Sequence, residues 1–494
     1  MESELCSPGR PNARPYRRPA YALASISGAM VLVNLDVSAV NVSLASLQAD
    51  LGLSTSGLMW VMNGYTLAFA ASLVAGGRFG DMKGRRFAFI LGAAIFAIAS
   101  ALSGLAQASS WLVGARVLQG VGAALLFPSM LAIAAVIYPG RQRAAAVGTL
   151  VGVAGLSQAA GPLVGGFLVE FAGWRWIFFI NVPIGLLSIL CALKFVPETR
   201  AASCPVGFDI GGAIVVTLGL VALTVGISQA NMWHWFSPAT LATIASGIVL
   251  LAAFIIMEFR VRHPLIHPTL LTNTNFMAAN ASGACLVFVF FPLLMYVSLF
   301  MQRVMGYSPL MTGVGLLPVV AMLGLFANLI GKLSVRTGPT PLLTIGYLLT
   351  AFGMGLFAAL IDANVTYVRI IVPLLAVGLG MGIVYTLNSA TAVGAVEPDK
   401  AGAASGVNLM FRFVGGVLGV AITTTVFQHL SPSGVVTGKA FVEAVRPPMY
   451  LLAISALIGA FINQLFVKDP DPPEAAEDAS IDNAGRKSDR RIPS

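Results

Sequence analysis

The sequence predicts an all-α polytopic membrane protein with fourteen transmembrane helices. Three observations lead there: a very apolar composition, apolar blocks about 20 residues long, and a one-sided distribution of lysine and arginine between those blocks. Of the 494 residues, 57% are hydrophobic and only 10% charged, whereas a soluble domain carries about 25% charged residues. So few polar groups cannot cover a water-facing surface. Hydrocarbon offers backbone N–H and C=O groups no partner, so each spanning block must be helical. A membrane β-barrel would show alternating segments of about 10 residues, and the sequence has none.

Spans are expected near 20–43, 58–77, 87–108, 111–137, 145–169, 174–193, 209–229, 239–257, 275–300, 310–331, 341–361, 366–392, 402–428 and 447–467. Arg10, Arg14, Arg17 and Arg18 before the first apolar run give the outline of a signal peptide. That run is long and contains Asp36, so it reads as an uncleaved first span. An even number of spans places both ends on one side. Of the 29 Lys and Arg, 22 then fall on that side and 5 (Arg175, Arg303, Arg369, Lys439, Arg446) on the other, with Arg116 and Arg412 inside spans. Cytoplasmic loops collect positive charge, so both termini are expected in the cytoplasm of a cell membrane, such as a bacterial inner membrane. The net charge of +9 is therefore topology information rather than a nucleic-acid surface.

Cys6, Cys191, Cys204 and Cys285 form no CxxC, so neither a disulfide framework nor a zinc site is expected. His263 and His267 are four apart, but Pro264 and Pro268 argue against a helical metal pair, and interfacial histidines are the plainer reading. No metal, cofactor or catalytic group is expected. No GxxxxGK[ST] loop is present, so ATP hydrolysis by a P-loop is excluded.

An internal repeat organises the chain. Gly77-Arg78-Phe79-Gly80-Asp81-Met82-Lys83-Gly84-Arg85-Arg86 and Gly331-Lys332-Leu333-Ser334-Val335-Arg336-Thr337-Gly338 both place glycines seven apart around basic residues. They fall between spans 2 and 3 and between spans 10 and 11. This implies a cytoplasmic segment 1–19, a six-helix bundle 20–194, inserted helices 7 and 8 within 195–274, a second bundle 275–467 and a disordered cytoplasmic tail 468–494. Duplicated halves around a midplane site are a transporter architecture.

Within the spans, Asp36 stands out, because an intramembrane carboxylate is costly and marks a functional site by default. The bland alternative is a buried hydrogen-bonding aspartate. At about 100° per residue, Asn34, Ser38 and Asn41 share one helix face, while Asp36 lies round the helix with Ser25, Ala29, Val40 and Ser43. The Asp36 face is expected to line the cavity. Arg116 in span 4 and Asp36 fall roughly 12 and 7 Å outward of the membrane centre, at about 1.5 Å per residue, and can pair. The alternative for Arg116 is an interfacial side chain that snorkels outward. Asn34, Asn41, Gln119 and Arg412 are further cavity or substrate candidates. Arg412 lies about 15 Å into span 13 with no acid inside its half. It must find backbone carbonyls, water, Asp36 across the bundle interface, or a group on a substrate. In span 5, Gly161, Pro162, Gly165 and Gly166 allow close helix approach and a bend, which serves static packing and rocking alike.

At these residues the sequence resembles the major facilitator superfamily, in particular its fourteen-span drug:proton antiporters of the QacA/EmrB type. Leu35-Asp36-Val37 through Asn41-Val42 resembles the first-span motif of that branch. Gly77 to Arg86 resembles the superfamily's loop signature, with Phe79 in place of Leu. Arg116 with Gln119-Gly120 is similar to the fourth-span motif, and Gly161-Pro162 with Gly165-Gly166 to the fifth-span antiporter motif. Trp174-Arg175-Trp176 through Gly185 resembles the opening of the sixth span, and Gln302, Gly306 to Leu310 and Arg412 with Gly415-Gly416 fit the same branch. The resemblance implies a major facilitator fold, with two six-helix bundles flanking a central cavity, and alternating access. It also implies export of a lipophilic small molecule (a drug, an antibiotic or a self-made metabolite) coupled to inward proton flow through Asp36 and Arg116. Gly77, Asp81, Gly84, Arg85 and Arg86 would form the cytoplasmic gate loop, with Asp81 latching it when the carrier opens outward. A monomer in the bilayer is expected. A solute importer on the same fold and a non-transporting receptor or scaffold are the competing readings, and a receptor has no need of Asp36 together with Arg116.

Overall fold

In the computed structural model, residues 19–138, 141–199, 209–261, 264–266, 268–397, 401–431 and 438–467 are described. The expected N-terminal segment up to residue 18, the tail from 468, Cys6, Cys204, His263 and His267 lie outside the described residues.

The apolar blocks form helices throughout, and no strand occurs among the described residues. The first half runs α1 (Pro19–Leu51), α2 (Thr55–Lys83), α3 (Arg85–Gly104), α4 (Ser109–Ile137), α5 (Arg141–Phe171), α6 (Trp176–Phe179) and α7 (Asn181–Phe195). Next come α8 (Ile210–Trp233), α9 (Pro238–Glu258) and the short α10 (Pro268–Thr272). The second half comprises α11 (Thr274–Arg303), α12 (Pro309–Gly315), α13 (Leu317–Leu325), α14 (Ala327–Thr337), α15 (Pro339–Leu360), α16 (Tyr367–Gly394), α17 (Ala401–Leu430) and α18 (Gly438–Phe466). Side-chain caps start several of them: Ser54, Ser237, Asn273 and Ser308 each accept a first-turn N–H.

Thirteen helical segments among the described residues are long and apolar enough to cross a bilayer. The expected tenth span is instead α12, α13 and α14 in series. Pro318 explains the first interruption: it has no N–H to continue the ladder from α12. Pro183 acts similarly just after Ile180, where α6 gives way to α7. The first span continues to Leu51 rather than ending at 43, so Asp36 sits at the middle of α1.

The repeat is visible in the backbone. Gly84 (φ 119°) separates α2 from α3, and Gly338 (φ 79°) separates α14 from α15. Both lie in the positive-φ region that glycine enters without strain, so each allows the tight reversal its helix hairpin needs.

Helices α1 to α7 pack mainly among themselves, as do α11 to α18. The α8–α9 pair stands at the seam, with α8 against both α2 and α17; Thr425 Oγ1 donates to Ile227 O at 3.1 Å. Alternating helix directions put the start of α1 and the end of α18 on one face, here the terminal face, opposite the far face. The halves meet through their far-face portions. Gln302 Nε2 on α11 donates to Val42 O at 2.9 Å, and Leu310 N donates to Glu170 Oε2 at 3.0 Å. Towards the terminal face they part. On α5, Gly148, Gly152 and Gly155 face open space, while Gly161, Gly165 and Gly166 are tightly enclosed. Gly324, Gly331, Gly394 and Gly406 in the second half also have nothing near them. The cleft therefore opens at the terminal face and closes at mid-depth, where Phe413 of α17 meets Phe69 of α2 edge-on at 4.5 Å and Phe291 of α11 at 5.9 Å.

Candidate functional site: a buried ion pair in the first bundle

Asp36 (0% exposed) and Arg116 (2%) form an ion pair inside the first bundle, with Arg116 Nη1 at 2.5 Å from Asp36 Oδ2. The other carboxylate oxygen accepts from Gln119 Nε2 and from Asn181 Nδ2, each at 2.9 Å. Arg116 also donates from Nη1 to Gln119 Oε1 (2.7 Å) and from Nε to Val61 O (3.2 Å), with its guanidinium 4.4 Å from the Tyr65 ring centroid. Ser100 Oγ accepts from Asn181 (3.0 Å) and Gln119 (3.3 Å) and donates to Phe178 O (2.9 Å). Donors from α4 and α7 thus converge on the α1 carboxylate, while α2 and α3 contact its partners. Each partner offsets part of the cost of holding charge away from water.

Several expectations are corrected here. The Asp36 face of α1 does not line the cleft; it points into the first bundle, because only there do enough donors surround a carboxylate. The partly exposed stripe of α1 runs through Ser27, Val31, Asn34 and Val37. Asn34 thus reaches the open side, donating to its own helix at Met30 O (2.9 Å), whereas Asn41 is buried and donates to Val37 O (3.1 Å). Gln119 is fully buried and belongs to the ion-pair network rather than to the cavity wall. Nor does Asp36 reach across to Arg412.

Sequence reasoning missed Asn181, Ser100 and Tyr65. Asn181 was visible as a lone amide in an aromatic-rich apolar segment and deserved the same suspicion as Asp36. Ser100 and Tyr65 carry no such signal, since hydroxyls are common in apolar helices.

The other candidates fall in three places. In the gate loop, Asp81 pairs with Arg85 of its own half (3.0 Å), while Glu198 accepts from the backbone N–H groups of Arg86 (3.1 Å) and Phe87 (3.2 Å) at the start of α3. A Cβ on Gly84 would lie 2.5 Å from the Glu198 carboxylate. On α5, a Cβ on Gly161 would overlap the Ser38 hydroxyl, one on Gly165 would lie 2.8 Å from Ala39 O, and one on Gly166 would lie 2.5 Å from Pro309 O. Pro162 sits within α5, and its carbonyl would overlap a Cβ on Gly313. Gly161 and Gly165 thus seat α5 on α1, while Pro162 and Gly166 seat it on α12. Arg412 is 5% exposed on α17, donating to Ser389 Oγ at 3.1 Å.

Two helical halves closed together at one face, with a charged network buried between apolar helices, fit a solute transporter. Residues 26–420 match the Major Facilitator Superfamily, and the chain belongs to that family. It is 34% identical over 408 residues to the tetracenomycin C resistance and export protein of Streptomyces glaucescens, covering 82% of this chain and 75% of that one. It is 35% identical over 451 residues to the cephamycin export protein CmcT of Amycolatopsis lactamdurans, covering 88% and 91%. Among solved structures, a POT family transporter in complex with 5-aminolevulinic acid superposes with a TM-score of 0.68 at 15% identity, covering 90% of this chain and 95% of that one. At that identity the likeness speaks for the fold. The chain is a membrane transporter, not an enzyme.

Proposed function

We propose that this protein exports lipophilic antibiotics or self-made metabolites in exchange for protons. It would act as a monomer in a bacterial inner membrane, with both termini cytoplasmic. The observation that carries the proton coupling is the Asp36 network. A carboxylate at the centre of α1 is held by Arg116, Gln119 and Asn181, all of which can reorganise when it gains a proton. Protonation removes the charge that holds Arg116, so the α1–α4 contact acquires two discrete arrangements, as alternating access requires. The direction of transport is supported by the relatives, which are named for export of tetracenomycin C and of cephamycin. The lysine and arginine excess supports a cytoplasmic terminal face. The open cleft is then the loading state, and the Asp81–Arg85 pair is the gate loop with its latch released.

The test is a drug panel on an efflux-deficient bacterial host expressing the chain, with the proton gradient intact and then collapsed by an uncoupler. Lower intracellular accumulation of at least one lipophilic compound, abolished by the uncoupler, is expected. Gradient-dependent uptake instead would make the chain an importer.

A further inference from the structure

The chain places two arginines inside its spans, and the structure treats them oppositely. Arg116 has an ion pair, an amide, a backbone carbonyl and a tyrosine ring. Arg412 is nearly as buried, yet no carboxylate lies within ion-pair distance of it among the described residues. Its guanidinium lies 4.2 Å from the Tyr385 ring centroid and donates to Ser389 Oγ, while Nε has no partner. Guanidinium stays charged under all ordinary conditions. A membrane-buried charge of this kind pairs with an opposite charge or with backbone carbonyls, or faces water, and among the described residues neither a carboxylate nor a backbone carbonyl partners Arg412.

The surroundings hold Arg412 in this condition. Ser389 donates its proton to Asn408 Oδ1 (3.1 Å), so it offers Arg412 a lone pair only. Asn408 in turn donates to Asn280 Oδ1 (3.0 Å) and Asn388 Oδ1 (3.3 Å), and Asn388 donates to Ala279 O (2.8 Å). Every link is an amide or a hydroxyl, so the network fixes geometry without neutralising charge. Gly283 makes room for it: a Cβ there would lie 2.5 Å from Asn388 Oδ1 and 3.2 Å from the Arg412 stem. Along α17 the next residue is Phe413, which closes the cleft against Phe69 and Phe291. The contacts of Arg412 lie on α11 and α16 of the second bundle, one residue from the Phe413 closure at mid-depth.

We propose that Arg412 is the anchor of a substrate subsite that takes a carboxylate carried on a lipophilic, aromatic body. The carboxylate would accept from the free edge of the guanidinium, and the apolar body would lie against Phe413 and its ring neighbours. This deepens the export reading, on which it rests, by naming the substrate class.

The experiment is equilibrium binding to the purified full-length protein in detergent, with no gradient, using pyrenebutyrate, pyrenebutanamide and pyrenebutylamine as size-matched fluorescent probes. The carboxylate is expected to bind about 10-fold more tightly than the amide, a difference of about 1.4 kcal/mol, and the amine most weakly. R412Q should erase that preference, leaving the carboxylate bound no more tightly than the amide. S389A, which keeps the charge and removes only its one hydroxyl partner, should retain the preference and report on the site even if R412Q folds poorly. Equal binding of all three probes, no binding of any, or a preference for the amine overturns the proposal. So does a preference that survives in folded R412Q. Because binding is read without a gradient, failure here leaves the uncoupler test of export standing, and failure of that test leaves this one standing.

Discussion

Replacing Asp36 by asparagine removes one proton-exchanging group and almost no volume, so it isolates the coupling role. In the native site the carboxylate accepts from Arg116, Gln119 and Asn181. An asparagine keeps one accepting oxygen, but its NH2 must face donors that already point inwards. The amides of Gln119 and Asn181 can turn over to present oxygens; Arg116 cannot. Leaving one member of a buried ion pair without its partner costs about 3–5 kcal/mol. That is enough to lower the unfolding temperature clearly, but a fold of fourteen packed segments should survive it. Export driven by a pH gradient should fall to the background of empty membranes, since an amide has no proton to release. The assay is uptake of a substrate found in the drug panel into inverted vesicles, with protein quantified by blot. The double variant D36N/R116Q replaces the pair by neutral amides, and should recover thermal stability without recovering transport. Gradient-driven transport by D36N at the native rate would refute the reasoning, and Asp36 would then be a hydrogen-bonding core residue.

The remaining predictions probe other parts of the molecule. Arg116→Ala should impair transport as severely as D36N and lower stability, by removing the carboxylate's counter-charge and leaving a cavity; Arg116→Lys should restore charge but not the three-way contact with Asp36, Gln119 and Val61, giving partial activity in the same vesicle assay. Gly161→Leu should abolish turnover with normal membrane insertion, because its side chain would occupy the position of the Ser38 hydroxyl; native turnover in a correctly inserted variant would remove span 5 from the mechanism. A fluorescent reporter active only in the cytoplasm, fused after Ser494, should be bright, and a dark fusion at normal expression would invert the topology. Vesicles should move neutral lipophilic compounds better than size-matched dications, because the intramembrane charge of Asp36, Arg116 and Arg412 sums to a positive value; preferential dication transport would show that this charge count misjudges the cleft.

The fold was legible because its cause is one-dimensional. Span length, the apolar blocks and the repeated glycine hairpin are local properties, and Gly84 and Gly338 sit where the repeat put them. The tenth span was not legible as three pieces, since Leu316 and Phe326 give no sequence warning and only Pro318 hints at a break. The Asp36–Arg116 pairing was within reach, because two opposite charges inside one apolar bundle have few other places to go. Which way they faced was not. Helical periodicity gives the angle between Asn34 and Asp36 but not the direction of either, which depends on where Asn181 and Gln119 converge from distant parts of the chain. Arg412 was legible as an unpaired charge, while the amide network of Asn280, Asn388 and Asn408 that leaves it unpaired depends on packing between α11, α16 and α17.

That contrast between the halves bears on how coupling would work. The first half gathers polarity around a group that can change charge; the second gathers it around one that cannot. On the proposed reading, the proton is handled wholly within the first bundle, where α1 is seated on α5 through Gly161 and Gly165. The same α5 carries Pro162 and Gly166 against α12, so a shift of α1 on protonation is passed to the far-face closure through one helix. The substrate is held from the second bundle at Arg412, adjacent to Phe413, which closes against Phe69 of the first. Proton and substrate then need not share a residue. They compete through the closure itself, because Phe413 cannot remain on Phe69 while the halves part at that depth. A carrier built this way tolerates wide variation in substrate body, with the group that meets Arg412 setting preference among the bodies admitted.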